Sequence, residues 1–187
     1  MKELSLNILD IAQNSVKAKA ETVRITLTEG ETTLTIRIED NGCGMKEDLL
    51  RGVTDPFTTT RTTRKVGLGI PLFKLAAEQT GGSLTIVSRH EEEYPEDHGT
   101  VTEASFHKDH LDYTPLGDIV STVTVLIQGS PEIRWVFTHQ VGEREVALDT
   151  EELKAVLGDV PLNNTEVINW INGYLKEQYE DIGYRFS

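Results

Sequence analysis

The residues best able to do chemistry lie in three short stretches. In Asp40-Asn41-Gly42-Cys43-Gly44-Met45, Asn and Gly tolerate positive φ, so a turn is the simplest reading. The turn follows a strand-like run, and an Asp at a strand end can accept a hydrogen bond from an exocyclic amine such as that of adenine. Gly42 and Gly44 would let the backbone approach a flat ring. Asp10 and Asn14 stand four residues apart in a helical stretch and so share a face. An Asn side-chain oxygen is a hard ligand suited to Mg²⁺, which takes few protein groups and keeps waters and phosphates. A carboxylate one turn earlier can position or deprotonate a nucleophile. The third stretch runs from Asp55-Pro56-Phe57 through threonines, Arg61, Arg64 and Lys65 to Gly67-Leu68-Gly69-Ile70. Its end reads as a helix start, where free N–H groups and positive potential suit phosphate.

These stretches need elements to hold them. Leu4, Ile8, Ile11 and Ser15 make a helical stripe over 3–19. Val23, Ile25 and Leu27, then Leu34, Ile36 and Ile38, alternate as two strands of a hairpin. A short helix is expected over 46–51, a long loop over 54–65, and a helix over 68–79 stopped by Gly81-Gly82. Strands follow at 83–88 and 100–106. The order implies an α+β fold, an antiparallel or mixed sheet with helices on one face. After Phe106 the texture becomes polar. The expected division is a first domain over 1–107, a linker over 108–117 and a small β-rich module over 118–187 ending in helices. Strands are expected there at 121–127, 133–139 and 143–148. Asp149 and Asn163 are the expected caps of the two final helices.

Composition narrows the function classes. The chain has 187 residues and a formal net charge of -13, which repels nucleic-acid backbones and anionic lipids. One cysteine, Cys43, excludes an internal disulfide and disfavours a Cys-based zinc site. No signal peptide and no membrane-spanning run are visible, so the expected location is the cytoplasm.

In order and spacing the three stretches resemble the GHKL superfamily: gyrase-type topoisomerases, heat-shock chaperones, sensor histidine kinases and mismatch-repair ATPases. Leu9-Asp10-Ile11-Ala12-Gln13-Asn14-Ser15 looks like that family's N box, and Asp40 to Met45 matches its first glycine box. Asp55-Pro56-Phe57-Thr58-Thr59-Thr60-Arg61 is similar to the lid opening of sensor kinases. Gly67-Leu68-Gly69-Ile70, Gly81-Gly82-Ser83-Leu84 and Gly99-Thr100 follow the same branch. The resemblance implies the Bergerat ATP-binding fold, a two-layer α/β sandwich, over residues 1 to about 107. It implies ATP contacts at Asn14, Lys17, Asp40, Gly42, Gly44, Met45, Phe57, Thr59, Arg61, Lys65, Gly67, Leu68, Gly69, Ile70 and Thr100. It further implies Asn14 on Mg²⁺ and a mobile ATP lid over 58–66.

Three departures shape the functional expectation. Lys65 stands where sensor kinases usually carry a glycine. Asp10 stands where hydrolytic members have Glu and many sensor kinases have Asn, which makes it the candidate general base. A phosphoacceptor histidine on a helical hairpin is not seen before the ATP domain. The expected function is therefore a stand-alone Mg-dependent kinase or kinase-like regulator, transferring the γ-phosphoryl group to a separate protein partner. The alternative is a conformational ATPase or ATP sensor whose lid closure controls partner binding through the C-terminal module. Homodimerisation is left open.

Overall fold

A computed structural model of the chain describes residues 3–54 and 68–186. Strand alternation sets the architecture. Val23, Ile25 and Leu27 in β1 (Thr22–Glu29) and Leu34, Ile36 and Ile38 in β2 (Thr33–Asp40) are all buried. Ile25 pairs with Ile38 and Leu27 with Ile36, so one face of the hairpin is apolar. β3 (Ser83–Arg89) and β4 (Gly99–His107) extend the sheet on the β2 side, with Leu34 opposite Phe106 and Ile36 opposite Ala104.

On the other side, β5 (Arg134–Val141) runs parallel to β1 and β6 (Arg144–Asp149) antiparallel to β5. The result is one six-stranded sheet in the order β3-β4-β2-β1-β5-β6. It is mixed and mostly antiparallel, with β1–β5 as its parallel pair. Residues 108–117 connect β4 to a helix at Ile119–Gly129, and strands from both sides of them join the one sheet.

The helices are α1 (Leu4–Lys17), α2 (Glu47–Gly52), α3 (Gly69–Glu78), α4 (Ile119–Gly129), α5 (Thr150–Leu157) and α6 (Thr165–Asp181). α1 packs against α3 on one side and α4 on the other, and α4 packs against α6. Their buried faces join the sheet in one core that includes Phe73, Phe106, Phe137 and Tyr179. The N-terminus of α1 has no side-chain cap. Its free donors are taken instead by the later chain: Leu4 N–H donates to Pro115 O and Ser5 N–H to Leu116 O, both at 2.8 Å.

Two local expectations need correction. Residues 121–127, expected as a strand, lie within helix α4. Its β-branched run favours extended backbone. However, Ile119, Val120, Val123, Leu126 and Ile127 fall on one buried helical face. Asp118 caps it, accepting from Ser121 N–H at 3.0 Å, and the Thr122 and Thr124 hydroxyls find carbonyls at Ser5 and Val120. Residues 118–186 therefore hold two strands and three helices. The cap of α6 is Asn164 rather than Asn163, its Oδ1 accepting from Glu166 and Val167 N–H. Asp149 does cap α5, accepting from Glu151 N–H. No helix among the described residues is long and apolar enough to cross a membrane.

Candidate functional site

Strand register brings the first polar groups together. Asp40, the last residue of β2, sits opposite Thr100 of β4, which in turn sits opposite Ser88 of β3. Ser88 Oγ and Thr100 Oγ1 are 2.7 Å apart, and Ser88 Oγ also accepts from Met45 N–H at 2.8 Å. From the helix layer, the Ser15 hydroxyl donates to Asp40 Oδ2 at 2.6 Å. Gly42 N–H donates to Asp40 Oδ1 at 2.9 Å. The carboxylate is thus held on both oxygens, each with a lone pair to spare.

The turn after Asp40 is anchored on both sides. Asn41 Oδ1 accepts from Glu21 and Thr22 N–H at 2.8 and 2.9 Å, tying it to the start of β1. Cys43 N–H donates to Ala18 O, and Cys43 O accepts from Glu91 N–H. His98 Nδ1 lies 2.5 Å from Gly42 O. The two glycines also have a reason within the fold itself. A Cβ on Gly42 would lie 2.8 Å from the Ala18 carbonyl oxygen. One on Gly44, whose φ is +73°, would lie 2.0 Å from the Arg89 carbonyl. At both positions the missing Cβ leaves room for a neighbouring backbone carbonyl.

These groups line a cleft of about 200 Å³. Asn14, Lys17, Asp40, Gly44, Met45, Ile70 and Thr100, all anticipated from sequence, line it together. Gly42 does not, and acts through its N–H on Asp40. Asp10 is exposed one turn before Asn14 and abuts α3, where a Cβ on Gly69 would lie 3.2 Å from Asp10 Cβ. Leu68 is the exposed residue preceding α3. Phe57, Thr59, Arg61, Lys65 and Gly67 lie outside the described residues.

Sequence reasoning missed Ser15, Ser88 and the apolar walls Ile11, Ile38 and Leu49. Ser15 stood on the apolar stripe and offered no polar signal. Ser88 became visible only through the β3–β4 register.

Electrostatics divide the groups. Partial burial raises the Asp10 pKa above the ordinary carboxylate value, and Lys17 pulls it partly back. Asp10 is thus a better proton acceptor than a free Asp. Burial, then Glu91 and Asp40, raise the Cys43 thiol, so it stays protonated near neutrality and is a poor nucleophile. Asn14 Nδ2 is buried with no hydrogen-bond partner among the described residues. Buried amides are rarely left so, and an orphan donor lining a cleft fits an anionic ligand oxygen. With the amide turned over, the same position offers a hard oxygen to a cation. The donor set therefore fits a nucleotide with its magnesium ion.

A family model described as histidine kinase-, DNA gyrase B- and HSP90-like ATPase matches residues 2–110. The chain belongs to that family. Over 88 residues it is 32% identical to the signal transduction histidine-protein kinase AtoS of Escherichia coli (strain K12), covering 47% of this chain and 14% of the kinase. Over 94 residues it is 30% identical to the sensor protein KdpD of Clostridium acetobutylicum, covering 48% of this chain and 10% of that protein. The chain thus matches only about a seventh or less of these curated relatives' length. Among solved structures, the N-terminal domain of a DNA repair protein superposes with a TM-score of 0.57 at 14% identity, over 85% of this chain and 58% of that one. This likeness concerns the fold, and its coverage reaches past residue 110 into the extension that the family model leaves unmatched.

Proposed function

We propose that this ATPase-family domain binds ATP with Mg²⁺ in the Asp40 cleft and passes the γ-phosphoryl group to an acceptor on a separate protein. The observation that carries the reading is one cleft lined by both a braced carboxylate and an orphan amide. Asp40, steadied by Ser15 and Gly42, would accept from the exocyclic amine of adenine. Thr100, paired with Ser88, would offer a second polar contact at the base. Ile11, Ile38, Met45, Leu49 and Ile70 would sandwich the ring and exclude water. Asn14 would hold Mg²⁺, and Lys17 would add positive charge toward the phosphates. Magnesium, when bound with the nucleotide, neutralises charge on the transferring group. Asp10 would orient the acceptor or take its proton, a role its raised basicity suits. Phe57, Thr59, Arg61, Lys65 and Gly67 would complete the phosphate side as an ATP lid.

Two of the chain's histidines have structural employment that argues against an internal acceptor. His139 is fully buried, and His98 is engaged with the glycine turn. The test is calorimetric titration with Mg-ATP, then incubation with γ-labelled ATP with and without cell extract. Tight binding lost in Asp40→Ala, with label on a second protein, is the expected result. Binding that survives Asp40→Ala unchanged would sink the site assignment.

One observation favours a second reading, an ATP sensor coupled to the extension. Pro115, Leu116 and Thr122 hold the first turn of α1, the helix that carries Asp10 and Asn14. In that case the label would appear as free phosphate or stay on ATP.

A further inference from the structure

The extension beyond residue 110 carries an apolar groove away from the Asp40 cleft; Leu153 and Leu157 at its base pack against the core, while Val156, Val160 and Trp170 stand exposed along it. Leu153, Val156, Leu157 and Val160 follow helical spacing along and just beyond α5. Val156 is 86% exposed and Val160 44%. Across from them, Trp170 of α6 is 53% exposed and stacks on Tyr174 with ring centroids 4.9 Å apart at 10°. Between the helices lies a groove of about 590 Å³. A second cleft, sharing Leu153 and Trp170, runs from it toward β5 and β6. Isolated exposed apolar residues are ordinary, but a contiguous set around a stacked Trp–Tyr pair marks an interaction site.

Two observations select the occupant. The first is charge. Glu152 and Glu166 line the two clefts, and Glu177 follows Tyr174 by one helical turn, continuing the Trp170–Tyr174 stripe into acid. Of the nearby cations, Lys154 is exposed on α5 beside Glu151 and Glu152, and the others act elsewhere. Arg134 is paired with Asp149 and Glu151, and Lys176 acts on Asp118 at the start of α4. A second copy of this chain would bring the same acidic rim and be repelled, as would an anionic membrane.

The second observation concerns shape. β6 is the sheet edge beside the groove, and a peptide could in principle add there as a strand. The Gln178 side chain blocks this, accepting from Ala147 N–H and donating to Ala147 O, each at 3.0 Å. It occupies both backbone groups of Ala147, in the middle of that six-residue edge. An apolar groove between two helices then suits a helix laid along it.

We propose that the α5–α6 groove docks an amphipathic helix of a partner protein, with Lys or Arg flanking its apolar face. The proposal does not rest on the nucleotide reading. Trp170 and Val156 are the anchors, and the acidic rim selects against anionic partners.

The test uses the full chain and three fluorescein-labelled synthetic peptides of about 18 residues, long enough for a stable helix on docking. The first has a leucine stripe with lysine flanks, the second the same stripe with glutamate flanks, and the third the first's composition scrambled to remove the stripe. By anisotropy, the first should bind about tenfold or more tighter than either other. Trp170→Ala and Val156→Asp should each weaken it about tenfold, while Leu111→Ser, an exposed apolar residue away from the groove, should not. These are surface changes, and matched thermal melts verify folding. Any of the following results would overturn the proposal. One is equal affinity for the three peptides or an unaltered Kd in Trp170→Ala. Another is a sedimentation-detected dimer that Val156→Asp dissolves. The last is tighter binding to phosphatidylserine vesicles than to the first peptide.

Discussion

The β1–β2 hairpin has a carboxylate near each end, and the two ends treat it in opposite ways. At one end Asp40 is held by Ser15 and Gly42 but faces a cleft, beside an Asn14 amide with an unpartnered Nδ2. At the other end Glu29 is saturated. It accepts from Lys108 Nζ at 2.7 Å and the Tyr184 hydroxyl at 2.9 Å, with His139 Nε2 at 2.8 Å. His139 reaches Tyr179 through its other nitrogen at 2.7 Å, and Tyr184 and Phe186 pack around them. Burial alone would raise the Glu29 pKa, but hydrogen bonds from His139, Lys108 and Tyr184 outweigh it and bring it down to about 2. Polar groups at both ends are costly to bury. At the Glu29 end the cost is met within the chain, which fastens β5, α6 and the C-terminal turn to the hairpin. At the Asp40 end it is left partly unmet, at the wall of a cleft.

The largest expected effect tests the saturated end. Glu29→Ala leaves the buried His139 without its hydrogen-bond partner and the Lys108 ammonium without its counter-charge, and should cost about 3–5 kcal/mol in urea unfolding. Nucleotide affinity of the folded protein should stay within about twofold, since Glu29 is at the far end of the hairpin. A cost under about 1 kcal/mol would mean that the cluster is decoration.

Acid should reveal the same carboxylate. Its folded pKa is depressed from 4.5 to about 2, so the folded state binds the proton less readily than the unfolded chain. The associated stability, about 3 kcal/mol, is fully present above the unfolded pKa and is lost as pH falls through the folded value. Chemical denaturation between pH 6 and 2 should show this loss, and Glu29→Gln should flatten that part of the curve; a parallel slope in the variant would assign the loss to other carboxylates.

The open end should respond in affinity instead. Asp40→Asn should weaken Mg-ATP binding about 100-fold, the scale of a hydrogen bond to a charged group, with a melting temperature close to wild type. Unfolding of this variant to the extent seen for Glu29→Ala would erase the contrast.

The smallest effects sharpen it. Asn7 is fully buried two turns before Asn14, and neither of its amide atoms has a partner among the described residues. Asn7→Leu and Asn14→Leu should each be neutral or stabilising by about 1 kcal/mol, because an unsatisfied amide is replaced by an apolar group. Only Asn14→Leu should abolish Mg-ATP binding in calorimetry. If both variants bind normally, Asn14 is not a ligand group.

Much of the Asp40 end was legible in the residues themselves. Alternation in β1 and β2, the stripe on α1 and the order of Asp10, Asn14, Asp40 and Gly67-Leu68-Gly69 depend on local periodicity and short-range chemistry. Those survive in a linear reading. The Glu29 end was not legible, because its partners His139, Tyr179 and Tyr184 are more than a hundred residues away in sequence. Residues 121–127 misled for a related reason. β-branched side chains favour a strand locally, yet burial against α1 and α6 outweighs a propensity worth only a few tenths of a kcal/mol per residue.

The sequence by itself determined the hairpin, the helix carrying Asp10 and Asn14, and membership of a nucleotide-binding family, since each rests on contacts within a few residues or on ordered motifs. Only the tertiary structure decided that residues 134–149 extend the same sheet through a parallel β1–β5 pair. It likewise decided that Ser15 lines the cleft with Ser88 bonded behind Met45 and Thr100, and that Gly42 and Gly44 make room for protein backbone. Register and packing between distant segments leave no periodic trace in either partner alone. The energy that selects them comes from burying surfaces that meet only after folding.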